Sequence, residues 1–336
     1  MSDFPEPRKP RRPEPYKSDW SPRPIPQPAP ERRTADPRTP TLRELEERER
    51  QRASTVADPA REIGPRPQPA VTFKTCNDSG LAAQQSATRF GNEVRKLQAD
   101  WAPLTLDQRR ARLQDVLNAQ LASADVPGIK LRDVMTTDST VGKLYAQSWQ
   151  LDVSRYLLAS PALNDRDALD LAKTAYHEAR HAEQRFLMAR RRAAVGADAK
   201  AIEAMGVRRD VARLAALNPL PARQSANAAC AASWDDSYFG AGRAARETLY
   251  EQYPQPSTDT ERAAANETLR YARGSPAYAR AYTAWQAADQ RLQQLQNQYL
   301  SLPEENDAFA TESLVARNWP SASQASCGAA SPQPER

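Results

Sequence analysis

Apolar positions recur along this chain at two different spacings, and each predicts its own kind of element. From Leu81 to Trp101, Phe90, Val94 and Leu97 fall three and four apart, the spacing of one helix face. A second helix is expected from Thr105, whose hydroxyl suits an N-cap and which is followed by Asp107 in the first turn. Leu106, Leu113, Val116, Leu117 and Leu121 form its inner stripe, and Pro127-Gly128 ends it. The period then shortens to two. Ile129 to Val134 alternates apolar and polar residues, and Val141 to Val153 does so in part, with turn residues at Thr136 to Thr140 between them. Two or three short antiparallel strands are expected here.

Helical spacing returns at Asn164, a cap followed by Asp165 and Asp167 at the positive helix end. Leu169, Ala172, Tyr176, Ala179 and Leu187 give this long helix an apolar face, and it stops near Gly196. A further helix is expected from Ala199 to Leu217, and an Ala-, Ser- and Gly-rich loop from Arg223 to Gly242. Helices follow at about Arg243–Tyr253, Thr260–Ala272 and Pro276–Leu300. Another opens at Pro303, where acids crowd the first turn. The fold class is therefore mainly α with a small antiparallel sheet. Residues 71–320 form one domain, with 71–128 as a helical subdomain before the strands and later helices.

Composition separates the two ends from this domain. Residues 1–70 hold 16 of the 28 prolines and almost no aliphatic periodicity, so a disordered Pro/Arg-rich tail is expected, with a short solvated helix at Thr41 to Gln51. Residues 321–336 are small and polar and read as a second disordered tail. The net charge is +5; the first 70 residues, with 15 Lys and Arg against 12 Asp and Glu, carry more than half of it. A folded nucleic-acid binder concentrates more positive charge on one face, so nucleic acid is not the expected partner; polyanion binding by the tail and the arginine-rich stretch from Arg180 to Arg213 is a third reading. The mean hydropathy of -0.78 and the lack of any long apolar run argue against a membrane span. The chain opens Met1-Ser2-Asp3-Phe4-Pro5 without an apolar leader core, so cytoplasmic synthesis is expected, with any secretion by a route that uses no such leader. Cys76, Cys230 and Cys327 are odd in number and far apart, which favours three reduced thiols over one disulfide.

The chemistry is concentrated in the long helix. His177 and His181, the only two histidines, frame His177-Glu178-Ala179-Arg180-His181, an H-E-x-x-H pattern. Residues four apart share a helix face, so both imidazoles reach one ion, and Glu178 can serve as general base toward a water on it. A catalytic zinc takes three protein ligands. With no third histidine, the remaining one must be a carboxylate or, less readily, a cysteine. Glu203, Glu247, Glu251, Glu304 and Glu305 are the candidates; Glu305, in the first turn of a helix held by Pro303, is the best placed. Asp307 or Glu304 could then orient an imidazole. Tyr299 is the first candidate to stabilise an oxyanion and Arg180 the second. The strands just before the helix could hold an extended peptide along a free edge.

The block Ala175 to Gln184 resembles the active helix of gluzincin-type metallopeptidases, especially the uncharacterised H-E-x-x-H proteins among bacterial toxins and contractile-injection-system cargo. Tyr299-x-x-Leu302-Pro303-Glu304-Glu305-x-Asp307-Ala308 resembles their downstream element, in which a Glu three residues before an Ala is the third ligand; that role falls on Glu305. Related membrane-associated peptidases have Asp directly after the Ala, where this chain has Phe309. The two blocks together cover 20 of the 336 residues. The resemblance implies a zincin-like architecture, one catalytic Zn²⁺ on His177, His181 and Glu305, and a protein or peptide substrate. It also implies a toxin or effector whose residues 1–70 engage a secretion or injection machine. A different class of reading is a non-catalytic helical protein of such an assembly with a degenerate motif.

Overall fold

In the structure, a computed structural model, the larger of two apolar clusters gathers Phe90, Leu113, Leu131, Leu151, Leu171, Tyr176, Val211 and Val315 from elements spread over most of the chain. Residues 71–135, 142–221, 225–253 and 255–320 are described, and all lie in one compact unit, Pro59–Arg336. The expected tails and the turn at Thr136 to Thr140 lie outside the described residues.

A 3-10 turn, Gly80–Ala82, leads into α1 (Gln84–Ala99) and then α2 (Leu106–Ser123). Thr105 and Gln108 form a reciprocal capping box at the start of α2, satisfying two backbone donors that the helix would leave free. Further along α2, the Asn118 amide accepts from Ile129 N–H and donates to Ile129 C=O, which fixes where the sheet begins.

The sheet comprises β1 (Lys130–Val134), β2 (Gly142–Tyr145) and β3 (Gln150–Ser154), in the order β1-β3-β2. It is mixed rather than antiparallel: β3 runs parallel to β1 and antiparallel to β2. Burial explains the order. Leu151 to Ser154 are all buried, so β3 takes the centre, where both edges are paired; β2 alternates half-buried and exposed residues and takes the outside. Trp149, buried and at φ 53°, turns the chain between β2 and β3, and its indole N–H donates to Pro127 C=O.

α3 (Arg155–Ala159) is short, and Asn164 then caps the 30-residue α4 (Asp165–Ala194) that carries the H-E-x-x-H motif. β2 lies directly on α4. A Cβ at Gly142 would stand 2.6 Å from Thr174 Cγ2, so only glycine permits this approach.

Two expectations after α4 are corrected. The helix expected over 199–217 is two, α5 (Ala199–Glu203) and α6 (Arg209–Leu217), because the chain turns at Gly206 with φ 81°, a conformation suited to glycine. The expected loop from Arg223 to Gly242 is largely α7 (Ser225–Phe239). Its alanines favour helix, and burial of Cys230, Ala231 and Trp234 against Leu187 and Met188 secures it. The remaining helices are α8 (Arg243–Gln252), α9 (Gln255–Thr268), α10 (Pro276–Leu300) and α11 (Pro303–Arg317). Among the described residues no helix is long and apolar enough to cross a membrane.

The expectation of three free thiols is also corrected. Cys76 and Cys230 form a disulfide across 154 residues, tying the extended segment before the 3-10 turn to α7. Sequence distance concealed the pair; tertiary folding brings their Cα atoms to 5.8 Å. Closing so long a loop removes much unfolded-state entropy, about 5 kcal/mol in the simplest chain model and about 2–4 kcal/mol in typical cases. Denaturant unfolding of the wild type with and without a dithiol reductant, and of Cys230→Ser, should register a loss of that size. Equal midpoints would show that the bond adds nothing.

Candidate metal centre

α4 sets His177 and His181 on successive turns, with their Nε2 atoms 3.1 Å apart. The first turn of α11 brings Glu305 to them, its Oε2 3.6 Å from His177 Nε2 and 3.5 Å from His181 Nε2. A tetrahedral zinc with ligands about 2.0–2.1 Å away needs donor atoms about 3.3 Å apart. The three atoms stand close to that spacing. Glu305 Oε2 is buried and has no hydrogen-bond partner, so one acceptor is left aimed into the gap between the imidazoles. Among the described residues this is the one convergence of three His, Cys, Asp or Glu side chains suited to a metal ion.

Electrostatics favour a cation there. Burial pushes His177 down, but the carboxylates of Glu305 and Glu312 outweigh it and raise the imidazole to about 10. Burial also pushes Glu305 up, and the two imidazoles overcome this to hold its carboxyl well below the usual range.

Neighbouring groups orient the donors. Gln184 donates its amide N–H to Glu304 C=O and to Asp307 Oδ2, each at 2.8 Å, which leaves its Oε1 facing His181 Nδ1 at 2.8 Å. An amide oxygen only accepts, so Nδ1 carries the proton and the Nε2 lone pair is left for a metal. Glu312 Oε2 stands 3.2 Å from His177 Nδ1, within ion-pair range although out of line for a hydrogen bond, and Lys173 lies 3.4 Å from the other Glu312 oxygen. The Phe309 ring meets His177 edge-on, with centroids 4.6 Å apart, and Phe73 stacks on Phe309.

The orienting role expected of Asp307 or Glu304 thus belongs to Gln184 and Glu312. Asp307 is occupied by Arg180 and Gln184, and Glu304 pairs with Arg246 at 2.7 Å. Glu312 was overlooked, yet it lies seven residues after Glu305, two turns along the same helix face.

Glu178 is half-exposed beside the histidines, and the edge strand reaches it directly: Leu144 N–H donates to Glu178 Oε2 at 2.7 Å. Tyr299 lies beside Glu305, whose charge adds to burial in pushing its hydroxyl up. Tyr250, which sequence reasoning missed, donates its hydroxyl to Glu305 Oε1 at 2.8 Å. Its signal was faint, an exposed-helix tyrosine four residues after Arg246. Arg180 is not free to meet an oxyanion; it is fully buried and bound to Asp307, Glu183 and Asn77. The other carboxylates weighed as ligands lie elsewhere. Glu203 pairs with Arg209 at 3.2 Å, Glu247 with Arg243 at 2.7 Å, and Glu251 is exposed.

No protein-family model, curated protein or solved structure matches this chain. What is observed is geometry: a helix-borne pair of histidines and a distant glutamate whose donor atoms could hold one metal ion, with a carboxylate adjoining.

Chelator competition should find zinc affinity greatly weakened in Glu305→Gln and little changed in Glu203→Ala or Glu247→Ala. Glu312→Gln should lose about 10–100-fold, the usual cost of removing a group that orients a ligand. With His177 raised to about 10, the site holds a proton at neutral pH that a bound metal ion would have to displace. Apparent affinity should therefore rise by about tenfold per pH unit for each proton released, and level off above pH 10. A flat profile would contradict this protonation.

Proposed function

We propose that the protein is a zinc-dependent hydrolase acting on peptide bonds. The observation that carries this reading is the convergence of His177 Nε2, His181 Nε2 and Glu305 Oε2 at tetrahedral spacing beside the carboxylate of Glu178. These three atoms fit zinc by number, type and spacing. When bound, zinc would act as a Lewis acid that makes water nucleophilic near neutral pH and polarises a carbonyl.

The chain's own groups supply the proton traffic. Glu178 takes the proton of the attacking water and returns it to the departing nitrogen. The Leu144 N–H occupies Glu178 Oε2 and fixes the side chain's direction, leaving Oε1 as the proton acceptor. Tyr299 lies beside Glu305 and is the donor this reading assigns to charge that develops on the carbonyl oxygen, while Tyr250 gives its hydroxyl proton to Glu305 Oε1 and holds that carboxylate in place. β2 lies against Glu178, and no strand among the described residues pairs with its outer edge, which leaves main-chain groups beside the Leu144–Glu178 contact for an extended peptide.

The biological setting in this reading is that of a delivered toxin or effector. The Cys76–Cys230 disulfide supports function in an oxidising compartment after export, since such bonds persist there and are rare in the cytosol.

Zinc-loaded protein should cleave unfolded protein or mixed peptides. Glu178→Gln should retain zinc while losing about 10²–10⁴-fold in rate, the contribution expected of a general base. Equal rates in the two proteins, or no cleavage by the loaded wild type, would overturn the assignment.

A further inference from the structure

Among the described residues, one cation near the centre has no protein anion to serve. Arg185 lies one turn beyond His181 on α4 and continues the face of His177 and His181. Every other arginine of this helix is engaged. Arg166 approaches Asp170, Arg180 binds Asp307 and Glu183, Arg190 donates to Asn218 C=O, and Arg191 and Arg192 share Asp235. Arg185 is half-buried, and its contacts among the described residues are with aromatic rings: its guanidinium carbon lies 3.6 Å from the Tyr238 ring centre and 5.9 Å from that of Phe239.

This cation connects to the metal centre through a continuous stack. Arg246 lies over the same Tyr238 ring at 3.8 Å, necessarily on the opposite face, since two guanidiniums cannot share one side at these distances. Arg246 also lies 4.3 Å from the Tyr250 ring, and the Tyr250 hydroxyl reaches Glu305. The two arginines differ in balance. Glu304 neutralises Arg246, whereas no carboxylate among the described residues pairs with Arg185, whose guanidinium N–H donors are left for a ligand.

We propose that Arg185 binds a carboxylate of the substrate, so that the preferred peptides carry a negative charge close to the cleaved bond. One unbalanced guanidinium matches one carboxylate, and its stacking on Tyr238 pre-orients the planar fork that such a group needs. One helical turn spans about 5.4 Å. An extended peptide advances about 3.4 Å per residue, so the carboxylate falls within about two residues of the scissile bond. An acidic side chain and a free C-terminus offer the same chemistry.

The proposal rests on the hydrolase reading for its substrate but is tested by binding. The probes are acetylated alanine pentapeptides in three forms: one central Glu with an amidated end, the same with Gln, and the Gln form with a free C-terminal carboxylate. Calorimetry against zinc-loaded Glu178→Gln should find one carboxylate peptide bound at least about tenfold more tightly than the neutral one, as a charge-assisted contact gives. Which of them gains identifies the source. Adding Arg185→Gln should abolish the difference, and Arg185→Lys should restore part of it, with circular dichroism checking that each variant is folded. Equal binding of all three peptides, or a preference that survives Arg185→Gln, would overturn the proposal. Preference without any cleavage by the wild type would support the carboxylate site while removing the hydrolase reading.

Discussion

A single buried guanidinium joins the three segments on which the candidate metal centre depends. Arg180, with no exposed surface, donates to both oxygens of Asp307 on α11, at 2.8 and 3.2 Å, to Glu183 on its own helix at 2.6 Å, and to Asn77 in the segment before α1 at 3.1 Å. The Trp234 ring of α7 lies near it, 5.4 Å from the guanidinium carbon. Ions so enclosed are costly to desolvate, and the arrangement is tenable because their donors and acceptors are met. Glu183 also accepts from Leu81 N–H, and Asp307 from Cys76 N–H and Gln184. Asp307 follows Glu305 by two residues. The contact that fixes Asp307 on Arg180 therefore fixes the register of α11 against α4, and with it the position of Glu305 over the histidines.

The same network explains why the segment from Phe73 to Leu81 belongs to the site although it contributes no ligand. Gly80 sits at φ 60°, and a Cβ there would overlap the Glu183 carboxylate, so the turn closes on α4 only as glycine. The Tyr176 hydroxyl donates to Leu81 C=O from the same face of α4 that carries Glu183. Phe73 stacks on Phe309, which packs on His177, and Asn306 brackets Thr72 C=O and Lys74 N–H. With Cys76 bonded to Cys230, this strap is held by covalent, polar and aromatic contacts within a few residues. Such support restricts the rotamers of the donors, which is how a metal site maintains its geometry.

Polarity is divided around the candidate metal centre. The side toward α11 is buried and structural, with Gln184, Glu312 and Phe309 holding the two imidazoles. The other side carries Glu178 and the edge strand, where Gly142 allows the backbone to approach α4 closely enough for Leu144 to reach the carboxylate. Support and access are thus on different faces of one helix.

By itself the sequence determined the local elements and the first half of the site. Helical spacing and caps located α1, α2, α4, α10 and α11, since 3.6-residue periodicity and N-cap chemistry are properties of neighbouring residues. The H-E-x-x-H spacing placed two donors and a base on one helix face for the same reason, and the shortage of histidines demanded a carboxylate from elsewhere. Tertiary structure decided the rest. It singled out Glu305 among five candidates, committed Arg180 and Asp307 to a buried network, and gave the orienting roles to Glu312 and Gln184. It placed β3 at the centre of a mixed sheet, made a helix of an alanine-rich stretch, and paired two cysteines 154 residues apart. Each of these outcomes depends on which surfaces meet across long chain separations, and that is set by burial and packing of the whole core, which no local spacing records.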